Sequence, residues 1–107
     1  MSEDQLQQQI VIWFKNELQR HGKGFIFSVP NGGSRNPIEA KKLKATGATA
    51  GVSDLIVLLP GAKTLFVELK TEKGIQSDNQ KEFAERVEVL GYKYLLIRSL
   101  EQFKSIF

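Results

Sequence analysis

A chain of 107 residues, 41% hydrophobic and 25% charged, can build one hydrophobic core but not two, so residues 1–107 are expected to form a single domain. The absence of cysteine excludes disulfides, thiolate metal sites and thiol catalysis. A net charge of +3 argues only mildly for a polyanion partner, and no apolar run suits a signal peptide or a membrane span, which fits a cytoplasmic protein with no membrane partner.

In chain order, the spacing of Leu6, Ile10, Phe14 and Leu18 predicts a helix from Ser2 to about Arg20, with Trp13 widening its apolar stripe. Ser2 can cap it with Gln5 three residues on, Glu3 and Asp4 suit its positive end, and Gly22 can stop it. Traced backwards, the stripe reaches Gln7 and Glu3, which means either an exposed, frayed helix start or an end that overhangs a site. His21 sits where a cation complements a helix C-terminus. Phe25–Val29 reads as a short strand closed by the turn Pro30-Asn31-Gly32-Gly33. A helix over Ile38–Lys44 follows, with Pro37 at its first position. Around it Arg35, Lys41, Lys42 and Lys44 gather against the single acid Glu39. A charge run of this kind is a solvated face in most proteins. Here it adjoins a Gly-rich loop whose amides can also meet phosphates.

The centre of the chain is Asp54–Leu59, a Pro-Gly turn, and Thr64–Lys70, which read as two hairpin strands. Glu68 and Lys70 are two apart and share a face. Asp54 opens the neighbouring strand, and two carboxylates brought together call for a cation between them, typically a hard divalent metal. Register decides whether they meet. Pairing Asp54 with Glu68 gives an odd-length loop, such as the three-residue Pro60-Gly61-Ala62, whereas pairing Leu59 with Thr64 would set the acids on opposite faces unless a bulge near Asp54 restores them. After a polar connector, Ser77-x-x-Gln80 opens a helix with Phe83, Val87 and Leu90 as its buried side and Gly91 as its stop. Tyr92–Arg98 is a last strand, and Ser99–Phe107 a terminal helix with Leu100, Phe103 and Phe107 on one side. This order predicts an α/β fold, a mixed β-sheet flanked by helices.

Asp54, a hairpin and Glu68-Leu69-Lys70 resemble the core of the PD-(D/E)xK nucleases. The ordered set of Asn31-Gly32-Gly33, Arg35, Gly47, Gly51-Val52-Ser53-Asp54, the Glu-x-Lys strand and Ser77-x-x-Gln80 resembles the VRR-NUC branch over nearly the whole chain. Ser53 departs from the pattern, standing where proline is expected, in a position that shapes backbone rather than chemistry. The resemblance implies a restriction-endonuclease-like core and a Mg²⁺- or Mn²⁺-dependent DNA endonuclease selective for branched DNA, similar to a Holliday junction resolvase. Asp54, Glu68 and the Leu69 carbonyl would hold the metal, and Lys70 would orient water or stabilise developing charge. Gln80 has two readings, a capping-box partner of Ser77 or a group facing the site. Glu3 matches the acid that the superfamily often supplies from its first helix. Asn31, Arg35, Lys41, Lys42 and Lys44 would contact DNA. A homodimer in the cytoplasm of a bacterial or phage-infected cell is also implied, with Trp13, Phe103, Ile106 and Phe107 as apolar residues that either need cover from a partner or pack on their own core. The competing expectation is a non-catalytic nucleic-acid-binding module that retains the fold.

Overall fold

The computed structural model describes residues 1–30 and 36–107. Helix α1 spans Glu3–Glu17, and Ser2 and Gln5 close the expected capping box at its start. It is shorter than its apolar stripe suggests. Leu18 leaves helical geometry, a 3₁₀ turn takes Gln19–His21, and Gly22 ends the run in the left-handed region at φ 71°. Strand β1 is Phe25–Ser28, helix α2 Pro37–Ala45, β2 Leu55–Leu59 and β3 Lys63–Leu69. Helix α3 is Asp78–Val89, β4 Lys93–Ile97 and α4 Leu100–Lys104.

The four strands lie in the order β1-β2-β3-β4. The first two pairings are antiparallel and β3 runs parallel to β4, so the sheet is mixed as expected. In the hairpin Leu55 faces Val67 and Leu59 faces Lys63, leaving Pro60-Gly61-Ala62 as the loop. Gly61 and Ala62 both take positive φ to turn the chain. Extending this register by one step sets Asp54 opposite Glu68. The hairpin thus adopts the pairing that puts both acids on one face.

Alternation along the strands divides the sheet into two faces. On one, Ile26, Leu55, Val57, Leu65, Val67, Leu69 and Ile97 pack with Leu6, Ile10 and Phe14 of α1 and Phe103 of α4. Each large side chain so removed from water contributes about 1.5–3 kcal/mol. The other face carries Phe66, Tyr92 and Tyr94 against Phe83 of α3, in edge-on ring contacts of 5.5–6.1 Å. Glu68 has the parity of Phe66 and belongs to this second face.

Two details depart from the periodicity. Leu90 is 73% exposed, because α3 ends before it, and Ala84 takes the inward place beside Val87. The terminal helix stops at Lys104 rather than Phe107. Phe103 is fully buried, and Phe107 folds back onto Trp13, Phe14 and Phe103 at 5.1–6.0 Å. Phe107 nonetheless stays 43% exposed and Ile106 38%, so the end of the chain is only partly covered. Apolar surface is also exposed on Ile12, Phe25, Phe27 and Leu58, beside the sheet edge formed by β1.

Candidate metal centre

Asp54 stands just before β2, where its carbonyl accepts the Val29 N–H at 2.9 Å. Its carboxylate crosses to β3, and Oδ2 accepts the Leu69 N–H at 2.7 Å. That bond ties the acid to the strand carrying Glu68 and Lys70. Burial pushes the Asp54 carboxyl above its usual range; the Leu69 amide pulls it down, the Glu68 charge pushes it up, and the Lys70 ammonium opposes that. Asp54 therefore lies within reach of the charges of both Glu68 and Lys70.

Ser53, in the place where the resemblance expects proline, is fully buried. Its hydroxyl donates to the Leu55 carbonyl at 3.2 Å, so the polar group has a partner. Two residues earlier, Gly51 takes φ +81° and meets the start of α3 backbone to backbone. The segment leading into Asp54 is thus seated against the helix that carries Gln80.

Glu68 is only 1% exposed, and its two oxygens are treated differently. Oε1 accepts from Gln76 Nε2 at 3.0 Å and from the Tyr94 hydroxyl. Oε2 is buried with no hydrogen-bond partner and faces the Lys70 ammonium at 3.9 Å. Burial, with the Glu68 hydrogen bond and charge adding to it, pushes the Tyr94 hydroxyl far above the phenol range, so it remains a donor. Neither Gln76 nor Tyr94 stands out in the sequence: one lies in a polar connector and the other in an apolar strand. Only the tertiary contact gives them a role.

A buried carboxylate oxygen without a donor is costly unless a cation completes it. Asp54, Glu68 and the Leu69 carbonyl, in the peptide joining Leu69 to Lys70, offer oxygen donors only. That set fits Mg²⁺ or Mn²⁺, which are held by one or two carboxylates with water completing the shell. Among the described residues no group of three His, Cys, Asp or Glu side chains is close enough to share an ion. Glu3 lies exposed in the first turn of α1 and does not join Asp54 and Glu68 there. Gln80 does close the capping box: its Oε1 accepts the Ser77 N–H at 2.8 Å and its own N–H donates to Ser77 Oγ at 3.2 Å.

Lys41, Lys42 and Lys44 are exposed on α2, a helix that buries none of its residues. Ile38, at 73% exposure, also points away from any core. The Asn36 side chain caps this helix by accepting from Ile38 N–H at 2.9 Å. Asn31 and Arg35 lie outside the described residues. No helix among the described residues is long and apolar enough to cross a membrane.

Residues 1–100 match the VRR-NUC domain family. A solved structure described as a VRR_NUC domain protein superposes with a TM-score of 0.77 at 26% identity, over 99% of this chain and 84% of that one. Another, described as a VRR_NUC domain, gives a TM-score of 0.63 at 21% identity over 92% and 89%, a likeness of fold alone. No curated protein matched the sequence. Since the family match runs through nearly all of the chain and the same fold recurs in a solved VRR_NUC domain protein, the chain belongs to the VRR-NUC domain family, a family of nucleases with a PD-(D/E)xK-like fold.

Proposed function

We propose that this protein is a Mg²⁺- or Mn²⁺-dependent DNA endonuclease, selective for branched DNA in the manner of a Holliday junction resolvase. The observation that carries the reading is the Oε2 of Glu68, buried without a hydrogen-bond donor beside Lys70 and on the same sheet face as Asp54. Asp54, Glu68 and the Leu69 carbonyl would hold the metal, which when bound supplies charge neutralisation at the phosphate and a more acidic water. The Leu69 amide orients the Asp54 carboxylate. Lys70, paired with Glu68, brings positive charge to where negative charge develops on the phosphate oxygens, or holds the attacking water by donating to it. Gln80 would direct its amide nitrogen to that water or to the phosphate. A ligand role for Glu3 would require the first turn of α1 to close over the site.

Substrate holding falls to Lys41, Lys42 and Lys44, together with Asn31 and Arg35. A helix with no buried side and three lysines suits a phosphate backbone better than a protein core. Replacing the three lysines by alanine should weaken DNA binding and lower the slope of log affinity against log salt by roughly 0.9 for each phosphate no longer neutralised. Filter binding at several salt concentrations measures it, and an unchanged slope removes α2 from the interface.

The working unit is proposed to be a homodimer, because one Asp–Glu–Lys cluster cuts one strand and a twofold pair supplies the second cut. Support comes from the uncovered Ile12, Phe25 and Phe27 along the β1 edge, where a second chain would add cover. Light scattering should give twice the 12.1 kDa chain mass. A single-chain mass with and without junction DNA would mean a monomer. Cleavage of duplex, flap and four-way junction DNA in Mg²⁺ against EDTA tests the activity itself. Binding without metal-dependent cleavage on all three would mark a non-catalytic binding module instead.

A further inference from the structure

Resting on that reading of the metal site, we infer that Tyr94 and Gln76 are positioning residues that fix the rotation of the Glu68 carboxylate and reserve Oε2 for the cation. Three observations carry this. Both donors converge on Oε1 and neither on Oε2, although a free carboxylate in a buried pocket would gain by sharing them. Tyr94 reaches Glu68 from the parallel neighbour strand, where Phe66 pairs with Tyr94 and Glu68 follows on the same face. Its ring is held edge-on by Phe83 at 6.1 Å, which sets the direction of the hydroxyl.

Gln76 comes from the connector, and that connector is braced. Arg98 Nη1 donates to the carbonyls of Thr71 at 2.8 Å, Glu72 at 3.3 Å and Gly74 at 2.7 Å. The turn after Lys70 is thereby tied to the end of β4, and Gln76 is delivered to Glu68 from a fixed base. Donors that hold the outer oxygen of a metal-binding carboxylate orient it and hold its charge in place, and their loss typically weakens metal affinity by about 10–100-fold. Without them the carboxylate could turn to present either oxygen, or pair more fully with Lys70.

The test is direct Mn²⁺ binding to the full chain by calorimetry, without DNA, for wild type, Tyr94→Phe, Gln76→Met and Glu68→Gln. Tyr94→Phe keeps the ring against Phe83, and Gln76→Met keeps the length of a half-buried side chain, so each removes one donor with little repacking. Should Tyr94→Phe fold poorly by circular dichroism, Gln76→Met on the surface connector still decides the matter. The expected result is a Kd for Mn²⁺ raised about 10–100-fold in each variant, with cleavage by the Tyr94 and Gln76 variants restored by raising Mn²⁺ to saturation. A merely structural role would lower folding stability without moving the metal requirement. Folded Tyr94 and Gln76 variants that bind Mn²⁺ as wild type does would overturn the inference while leaving the metal site standing. A wild-type protein that binds no Mn²⁺ would overturn both.

Discussion

Glu68→Gln is expected to eliminate cleavage while leaving the fold almost unchanged. The glutamine oxygen can still accept from Tyr94 and Gln76, so the two donors keep their partner. What changes is the other position, where an uncharged amide replaces the oxygen that has no donor and faces Lys70. Losing one carboxylate from a two-carboxylate site should remove several kcal/mol of transition-state stabilisation, at least about 10³-fold in rate at ~1.4 kcal/mol per decade. Glu68→Ala should behave differently. It strands both donors in a buried place, each costing about 1–3 kcal/mol, so stability falls along with activity. Nicking of a plasmid in Mg²⁺, read beside thermal melting, separates the two variants. Full activity in a folded Glu68→Gln protein would remove Glu68 from the site.

The largest structural effect is expected at Gly51. A Cβ added there would lie 2.3 Å from the Asn79 carbonyl oxygen, 2.4 Å from its carbon and 2.7 Å from the Gln80 nitrogen. These are backbone atoms in the first turn of α3 and cannot swing aside as a side-chain tip would. The residue also has φ +81°, which costs an alanine about 1–2 kcal/mol by itself. With overpacking of about 1–3 kcal/mol added, Gly51→Ala should lose roughly 3 kcal/mol or more, a fall in Tm of more than about 10 °C for a domain of this size. Activity should fall as well, since the displaced segment leads directly into Asp54 and presses on the helix of Gln80. Gly47→Ala is the control. It shares a positive φ, +105°, but meets nothing within 4 Å and should show the backbone cost alone. Equal melting temperatures for the two variants would mean that the contact with α3 carries no weight.

Much of the fold and part of the candidate site were legible in the residues. Alternation along 54–70 gave the hairpin and its faces, and the demand that two acids meet pointed to an odd-length loop, of which the strands adopt the three-residue Pro60-Gly61-Ala62. Ser2 with Gln5 and Ser77 with Gln80 signalled helix starts, because a capping box is completed within four residues. Local chemistry of this kind needs no knowledge of the distant chain. The ends of helices were less visible. Leu18 keeps the spacing of α1 but leaves its geometry, and Leu90 keeps that of α3 but is exposed, since a stripe records apolar spacing and not where the packing partner stops.

Other features exist only once the sheet is assembled. Tyr94 is 26 residues from Glu68 and Arg98 is 24 from Gly74, and the parallel β3–β4 pairing is what brings each pair together. In the sequence Tyr94 is one more apolar strand residue and Gln76 a polar loop residue, with no spacing to mark either. For Trp13 and Phe107 the sequence left own-core packing and a partner both open, and only the folded chain shows the two rings in contact at 6.0 Å. Residue types and their periods therefore determined the hairpin, the shared face of Glu68 and Lys70, and the family pattern. Which oxygen of Glu68 stays without a donor was decided by tertiary structure alone, because that depends on donors arriving from two separate segments at one buried atom.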